Sequence, residues 1–244
     1  MALRHVTRVF GNGVRALGPL DLDIRQGEFL SLLGPSGCGK STALRLIARL
    51  LTPNTGTLAW AGEKPRLSFV FQDPTLLPWA NVRENVRLPL DLAHVERGEA
   101  NARAETALAR LGLSGFADAF PRALSGGMRM RVSIARAFVA RPQLLLMDEP
   151  FAALDEPTRE SLNEDLLRLW REDAMTIVFV THSVYESTFL STRVVALTPR
   201  PGRVAAEISI TQKTRDAAWR LSPDFVAEAR HVAEALRSAA RSAA

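Results

Sequence analysis

Along the first part of the chain, hydrophobic and polar residues alternate or gather in short apolar runs. The stretches "ALRHVTRVF" (2–10), "LDLDI" (20–24) and "EFLSLLG" (28–34) read as strands, with a "QG" turn before the third. They predict a sheet running to Gly34. The period then changes. From Lys40 through "STALRLIARL" apolar positions recur at helical spacing, and the pattern stops before "TPNTG" (52–56), a cluster of turn formers. Two short strands are predicted at "TLAWAG" and "LSFVFQ". Between Thr75 and Arg141 the pattern is helical, interrupted at Pro78, Pro89, Gly98, Gly112 and Pro121. This predicts a helical insertion between strands of one sheet. The sheet resumes with "QLLLMDEP" (143–150) and "MTIVFVTH" (175–182), separated by an amphipathic helix from about Glu156 to Arg171. Apolar runs flanked by helices indicate buried parallel strands. "RVVALTP" and "RVAAEISI", around "RPG" (200–202), predict a closing hairpin. A last helix near Asp224 to Arg237 places Phe225, Ala229, Val232 and Leu236 on one side, and the Ala- and Ser-rich tail from Ser238 is expected to fray.

At 244 residues, with 47% hydrophobic and 23% charged positions, the chain can bury a real core, and only its ends are candidates for disorder. The net charge of +5 is carried by arginine, because lysine occurs only at positions 40, 64 and 213. The basic residues are scattered and lack interleaved aromatics, so they read as solvated surface and no nucleic-acid partner is expected. The single cysteine, Cys38, excludes internal disulfides and suits a reducing compartment. No basic, apolar leader opens the chain, and no apolar run approaches the roughly 18 residues of a bilayer span. A cytoplasmic protein is expected, one that meets a membrane only through partners.

Chemistry concentrates in three places. "GPSGCGKST", comprising Gly34, Pro35, Ser36, Gly37, Cys38, Gly39, Lys40, Ser41 and Thr42, matches GxxxxGK[ST] after a strand and at a helix start. There the glycines let backbone N–H groups wrap phosphate oxygens, and Lys40 can reach the β and γ phosphates. A chance glycine-rich turn is the alternative. "LLLMDEP" sets Asp148 and Glu149 at the end of an apolar strand, which is costly unless they face a cation or a proton to be moved, or reach solvent. "LSGGM" opens a helix with Ser125, Gly126 and Gly127, an anion site with no ligand beside it in the chain. Gln72 and His182 each close an apolar strand, where α/β sheets put ligand contacts.

Together these motifs resemble the ATP-binding cassette (ABC) ATPases, over almost the whole chain from Leu3 to about Ile210. "GPSGCGKST" resembles the Walker A loop, Gln72 the Q-loop glutamine, "LSGGM" the signature, "LLLMDEP" the Walker B strand, "AALD" (152–155) the D-loop and His182 the switch histidine. Phe10 resembles the aromatic residue on which adenine stacks. The resemblance implies an α/β P-loop NTPase with a mixed sheet core, an N-terminal antiparallel β subdomain and an inserted α-helical subdomain. It implies a single ABC ATPase domain, with 1–74 and 142–212 as nucleotide-binding core, 75–141 as signature subdomain and 213–244 as C-terminal helical extension. It further implies ATP and Mg²⁺ as cofactors, with Ser41, Gln72 and Asp148 on the metal and Glu149, His182 and Gln72 in catalysis. Ser125, Gly126, Gly127 and Asp155 would contact ATP in trans, across a head-to-tail dimer with another copy or a second ABC ATPase subunit. Two positions depart from the pattern: Met128 replaces the signature's usual glutamine, and Arg49 the glycine that ends the helix after Walker A. The change at Arg49 is expected to touch that helix end and not the chemistry.

After Gln72, "DPTLLPWANVRENVRLPL" carries Leu76, Leu77 and Trp79 in a loop, either a docking cleft for a partner helix or a small core of the helical subdomain. "LLPWANVRENV" and "TPRPGRV" (198–204) are similar to importer ATPases for nitrate, sulfonate, taurine and related compounds, including pyrimidine precursors of thiamine. That likeness implies integral membrane permease subunits as direct partners, and a periplasmic or extracellular substrate-binding protein as an indirect one. It places the chain peripherally on the cytoplasmic face of the inner (plasma) membrane. An exporter ATPase or a soluble non-transport ABC ATPase are the alternatives. The segment after the last strand is too short for the regulatory β domain of sugar-importer ATPases, so none is expected.

Overall fold

Alternation along the first strands produces a sheet with one covered face. In a computed structural model describing residues 1–241, Leu3 and Val6 of β1 (Ala2–Val9) are fully buried and pair with Leu22 and Leu20 of antiparallel β2 (Arg15–Asp23). The chain continues through β3 (Phe29–Leu33), α1 (Lys40–Ile47), β4 (Thr55–Ala59) and β5 (Leu67–Val70). Three helices follow, α2 (Val82–Leu92), α3 (Arg97–Arg110) and α4 (Gly126–Phe138), then β6 (Leu144–Asp148) and α5 (Glu156–Asp173). The last elements are β7 (Thr176–Thr181), α6 (Val184–Leu190), β8 (Arg193–Leu197), β9 (Val204–Ser209), α7 (Ala217–Arg220) and α8 (Pro223–Arg241).

Two compact units result, one formed by Met1–Lys64 with Trp170–Ala244, the other by Pro65–Leu169. In the first unit β4 adds to the free edge of β1, giving the antiparallel order β2-β1-β4. A second sheet runs β7-β3-β8-β9, with β3 parallel to both neighbours and β9 antiparallel to β8, so the predicted hairpin forms. Every residue of β3, β7 and β8 is buried, as expected of strands covered on both faces. α1 packs on β7, α6 on β3, and α8 on α6, β8 and β9. Phe225 of α8 meets Trp219 edge-on at 4.9 Å, and Trp219 stacks on Phe189 at 6.0 Å. Arg193 bonds Glu28 at 2.8 Å in the interior and Glu207 at 2.6 Å, anchoring the start of β3 that carries the phosphate loop.

The second unit holds the parallel pair β5–β6, with Val70 opposite Met147, and between them in the chain the helices α2, α3 and α4, which pack on one another. This is the predicted helical insertion.

Several expectations change. α1 ends at Ile47, short of Leu50. Pro89 does not end α2, and Gly98 lies in the first turn of α3. Strand β5 stops at Val70 and β7 at Thr181, so Gln72 and His182 stand just beyond their strands. Ser238 to Arg241 is helical, with Ala239 buried, and Leu236 is only half-buried. The rest of the expected tail, 242–244, lies outside the described residues.

Candidate nucleotide site

In the first unit the phosphate-type loop leaves β3 at Leu33 and enters α1 at Lys40. Pro35, Ser36 and Gly37 are exposed, Gly34 and Cys38 buried, Ser41 and Thr42 half-buried. Lys40 is itself buried, and its Nζ donates to Gly34 O at 2.8 Å and Pro35 O at 3.1 Å. The N–H of Cys38 also donates to Pro35 O, at 3.3 Å, so this amide and the ammonium converge on one side of the loop. Gly39 caps α1 with φ 110° and no side-chain hydrogen bond, which leaves the first-turn N–H groups without a capping side chain. A helix start so arranged favours an anion.

The far end of α1 explains the departure at Arg49. Arg49 N donates to Leu46 O at 3.0 Å and Leu50 N to Arg45 O at 2.9 Å, the two bonds of a Schellman ending. Arg49 occupies its left-handed position at φ 61°, where glycine is unstrained, and its guanidinium donates to Leu58 O at 2.5 Å. The helix end is preserved. Phe10 sits in the β1–β2 turn, half-buried, with the Arg8 guanidinium 5.2 Å from its ring centre. His182 is exposed at the residue after β7.

In the second unit β6 buries all five of its residues and ends on Asp148, only 7% exposed. Glu149 follows at φ 46°, a left-handed conformation that non-glycine residues adopt at a cost and that concentrates at functional sites. Ser125 caps α4, its Oγ accepting from Met128 N at 3.2 Å. The bond uses the backbone of residue 128, so methionine there leaves the cap intact. Ser125 and Gly126 are exposed, whereas Gly127 is buried where a Cβ would stand 2.4 Å from Thr158 Cγ2. Only glycine lets α4 approach α5 this closely. Asp155 caps α5, accepting from Thr158 N at 3.2 Å and Thr158 Oγ1 at 3.0 Å. These bonds hold its carboxyl below the ordinary aspartate range, the side-chain bond first. The signature turn and the D-loop are therefore brought together, with Leu154 and Thr158 against Gly126 and Gly127.

Gln72 is exposed, ahead of a loop that two further residues hold. Arg136 of α4 donates to Pro74 O at 2.7 Å and to Thr75 O at 2.9 Å, and burial lowers its pKa. Asn85 of α2, fully buried, donates to Leu77 O, Ala80 O and Asn81 O and accepts from Leu77 N at 2.7 Å. On the loop so pinned, Leu76 and Leu77 are half-buried and Trp79 is 75% exposed, so a subdomain core does not account for Trp79. None of the sequence motifs gives Arg136, Asn85 or Thr158 a role. The one available signal was "NVREN", a polar residue repeated inside an amphipathic helix.

Ser41 of the first unit carries a hydroxyl oxygen, and Gln72 and Asp148 of the second an amide and a carboxylate oxygen, each a hard donor of the kind a divalent cation accepts. Among the described residues no cluster of three His, Cys, Asp or Glu is placed to hold a metal.

Residues 17–152 match the family model described as ABC transporter. The chain is 45% identical to the taurine import ATP-binding protein TauB of Rhizobium johnstonii, over 95% of each chain. It is 47% identical to the bicarbonate transport ATP-binding protein CmpC of Synechococcus elongatus, over 83% of this chain and 32% of that one. Among solved structures, the dimeric bacterial ABC transporter cassette MJ0796 superposes with TM-score 0.78 at 34% identity, covering 87% of this chain and 99% of that one. The same protein bound to ADP and Pi after hydrolysis gives TM-score 0.77 at 33% identity, with the same coverage.

Proposed function

Since the chain belongs to the ABC transporter family and is an ATPase with the P-loop NTPase fold, we propose that it powers an importer for a small solute. It works as a head-to-tail dimer, with itself or a second ABC ATPase subunit, docked on membrane permease subunits. The observation that carries this reading is the pair of anion-binding helix starts in one chain. One is the loop Gly34–Thr42 with buried Lys40, the other the exposed Ser125-Gly126 turn of α4. A second helix start aimed at phosphate has a role when it completes the site of a facing copy.

Phe10 stacks the adenine, and the N–H groups of the loop with Lys40 bind the β and γ phosphates. Ser41, Gln72 and Asp148 would hold Mg²⁺, which would supply positive charge to offset that of the phosphates. Glu149, fixed by its left-handed backbone at the end of a rigid strand, accepts the proton of the attacking water, and His182 positions that water. From the other protomer Ser125, Gly126 and Gly127 donate to the γ phosphate, stabilising charge that grows in the transition state, while Asp155 orders the turn beside them. In this scheme 75–141 serves as the signature subdomain and 1–74 with 142–212 as the nucleotide-binding core, and the described part of the segment from 213 is a helical extension.

Among the described residues no helix is long and apolar enough to cross a membrane. Attachment is therefore assigned to the permease, on its cytoplasmic side, through Trp79 with Leu76 and Leu77. The taurine-import relative supports import, with a binding protein delivering the solute to the permease. Similar identity to taurine- and bicarbonate-related proteins supports a reading in which selectivity resides in those other subunits. The solute is of the nitrate, sulfonate or taurine kind, or a pyrimidine precursor of thiamine.

The test is Glu149→Gln in the assembled transporter. Turnover should fall by roughly 10² to 10⁴ fold while ATP binding and dimer closure persist. Hydrolysis at the wild-type rate would remove Glu149 as the base and leave His182 as the next candidate. Vesicle uptake that needs an added binding protein distinguishes import from export.

A further inference from the structure

The turn between β8 and β9 has no part in that scheme, yet it touches the phosphate loop. It is closed on itself: Thr198 N donates to Arg203 O at 3.0 Å, and Thr198 Oγ1 donates to Pro201 O at 3.0 Å and accepts from Arg203 N at 3.1 Å. It is also tied to β2. Gly202 N donates to Ala16 O at 3.0 Å, Gly18 N donates to Gly202 O at 3.1 Å, and Arg203 Nε donates to Gly18 O at 2.7 Å. From this frame two residues reach the loop. Arg200 Nε donates to Gly37 O at 3.0 Å. A Cβ on Gly202 would stand 2.2 Å from Cys38 O and 3.3 Å from Cys38 C, so the Cys38 carbonyl points straight at Gly202.

A trans peptide carries its C=O and its N–H on opposite sides. With Gly37 O bonded to Arg200 and Cys38 O turned toward Gly202, the N–H groups of Cys38 and Gly39 face away from the turn. The Cys38 amide meets Pro35 O, which Lys40 Nζ also reaches, so the side opposite the turn is the side of the lysine ammonium. Successive N–H groups on one side of a loop form a nest for an anion.

We propose that the turn 198–203 presets the phosphate loop for nucleotide: Arg200 holds the Gly37 carbonyl outward and Gly202, lacking a side chain, leaves room for the Cys38 carbonyl to turn the same way, so that the N–H groups of Cys38 and Gly39 lie on the lysine side, where phosphate oxygens would replace Pro35 O as the acceptor of the Cys38 amide. The inference rests on the reading of Gly34–Thr42 as the ATP-binding loop. Arg200 is thereby a positioning residue, acting through Gly37 and not on the nucleotide. Its contribution is preorganisation, which appears as affinity.

Equilibrium binding of ATP and ADP to the purified chain, with steady-state hydrolysis alongside, tests it on Arg200→Ala, Arg200→Lys and Lys40→Ala. Loss of one charge-assisted bond to the loop should weaken binding and raise KM by roughly 3- to 10-fold in Arg200→Ala, with kcat moving less than KM. The thermal midpoint should hold, because the side chain is exposed. Arg200→Lys should recover most of the affinity, since an ammonium can still donate to Gly37 O. In the nucleotide-free protein the amides of 37–39 should exchange hydrogen faster in Arg200→Ala. Wild-type affinity in Arg200→Ala, with Lys40→Ala impaired, overturns the positioning role alone. A thermal midpoint and affinity that fall together in both Arg200 variants also overturn it, because that marks general scaffolding. Wild-type ATP affinity in Lys40→Ala removes the phosphate-loop reading itself, and the positioning role with it.

Discussion

At Arg49 a side chain occupies a backbone conformation built for glycine, and the protein keeps it there with one bond to Leu58 O. Left-handed backbone costs a non-glycine residue about 1 kcal/mol, and a partly exposed bond of this kind returns about the same. Arg49→Ala keeps the strain and loses the bond, whereas Arg49→Gly loses both. Chemical denaturation should therefore find the glycine variant about 1 kcal/mol more stable than the alanine variant, and equal stability would mean that the helix end is set by something else. Asp155 makes a second case. Its carboxyl is held low first by the Thr158 hydroxyl and then by the Thr158 amide. A carboxyl depressed in the fold stabilises it above its unfolded pKa, and the gain disappears as pH falls through the folded value. By NMR titration Asp155 should ionise below the ordinary aspartate range. Thr158→Val, which keeps the methyl that packs on Gly127, should move it back up.

Between residue and molecule stands α4, which touches three separate functional segments. Ser125 caps it, Thr158 of α5 packs on its second residue, and Arg136 near its other end holds the loop that follows Gln72. A rigid helix joined to both loops transmits the movement of one to the other, if the joints hold. Arg136→Met leaves Pro74 O and Thr75 O without this donor and should lower stability by about 1–3 kcal/mol. It should also reduce the stimulation of hydrolysis by permease more than hydrolysis without it. Trp79→Glu acts one step further out: uptake should be lost with basal hydrolysis spared, and transport at the wild-type rate would remove the docking role of the loop. Much of this was legible in the chain, because strands buried on both faces announce themselves as apolar runs and the loop after β3 carries its own motif. What was missed lies in tertiary balance. Pro89 reads as a break, yet α2 continues through it because Val86 and Leu90 are buried beside it. Gly98 falls in the first turn of α3, where a Cβ would stand 2.8 Å from Oε2 of Glu96, the side chain that caps the helix. Arg136 and Arg200 act through carbonyls far off in sequence, and no local pattern marks such bonds.

For the whole molecule, the decisive question is which Ser125 serves which Lys40. In a head-to-tail pair each site takes the phosphate loop of one copy and the signature turn of the other, so neither copy holds a complete set of charge-stabilising donors. Losing one such donor set costs roughly 10²- to 10³-fold in rate, and specific activity should fall on dilution as the pair separates. Mixing two inactive variants gives a sharper result. In a Lys40→Ala copy paired with a Ser125→Arg copy, one site carries both defects and the other carries none. Random pairing makes about half the dimers mixed, each with one intact site, so about a quarter of all sites should be competent. Single-turnover hydrolysis counts those sites without requiring both to fire in sequence. Recovery near that level, absent from either variant alone, is the expected outcome. No recovery in a mixture shown to form hybrid dimers would place Ser125 and Lys40 on the same nucleotide within one chain, and the proposed assembly would have to be abandoned.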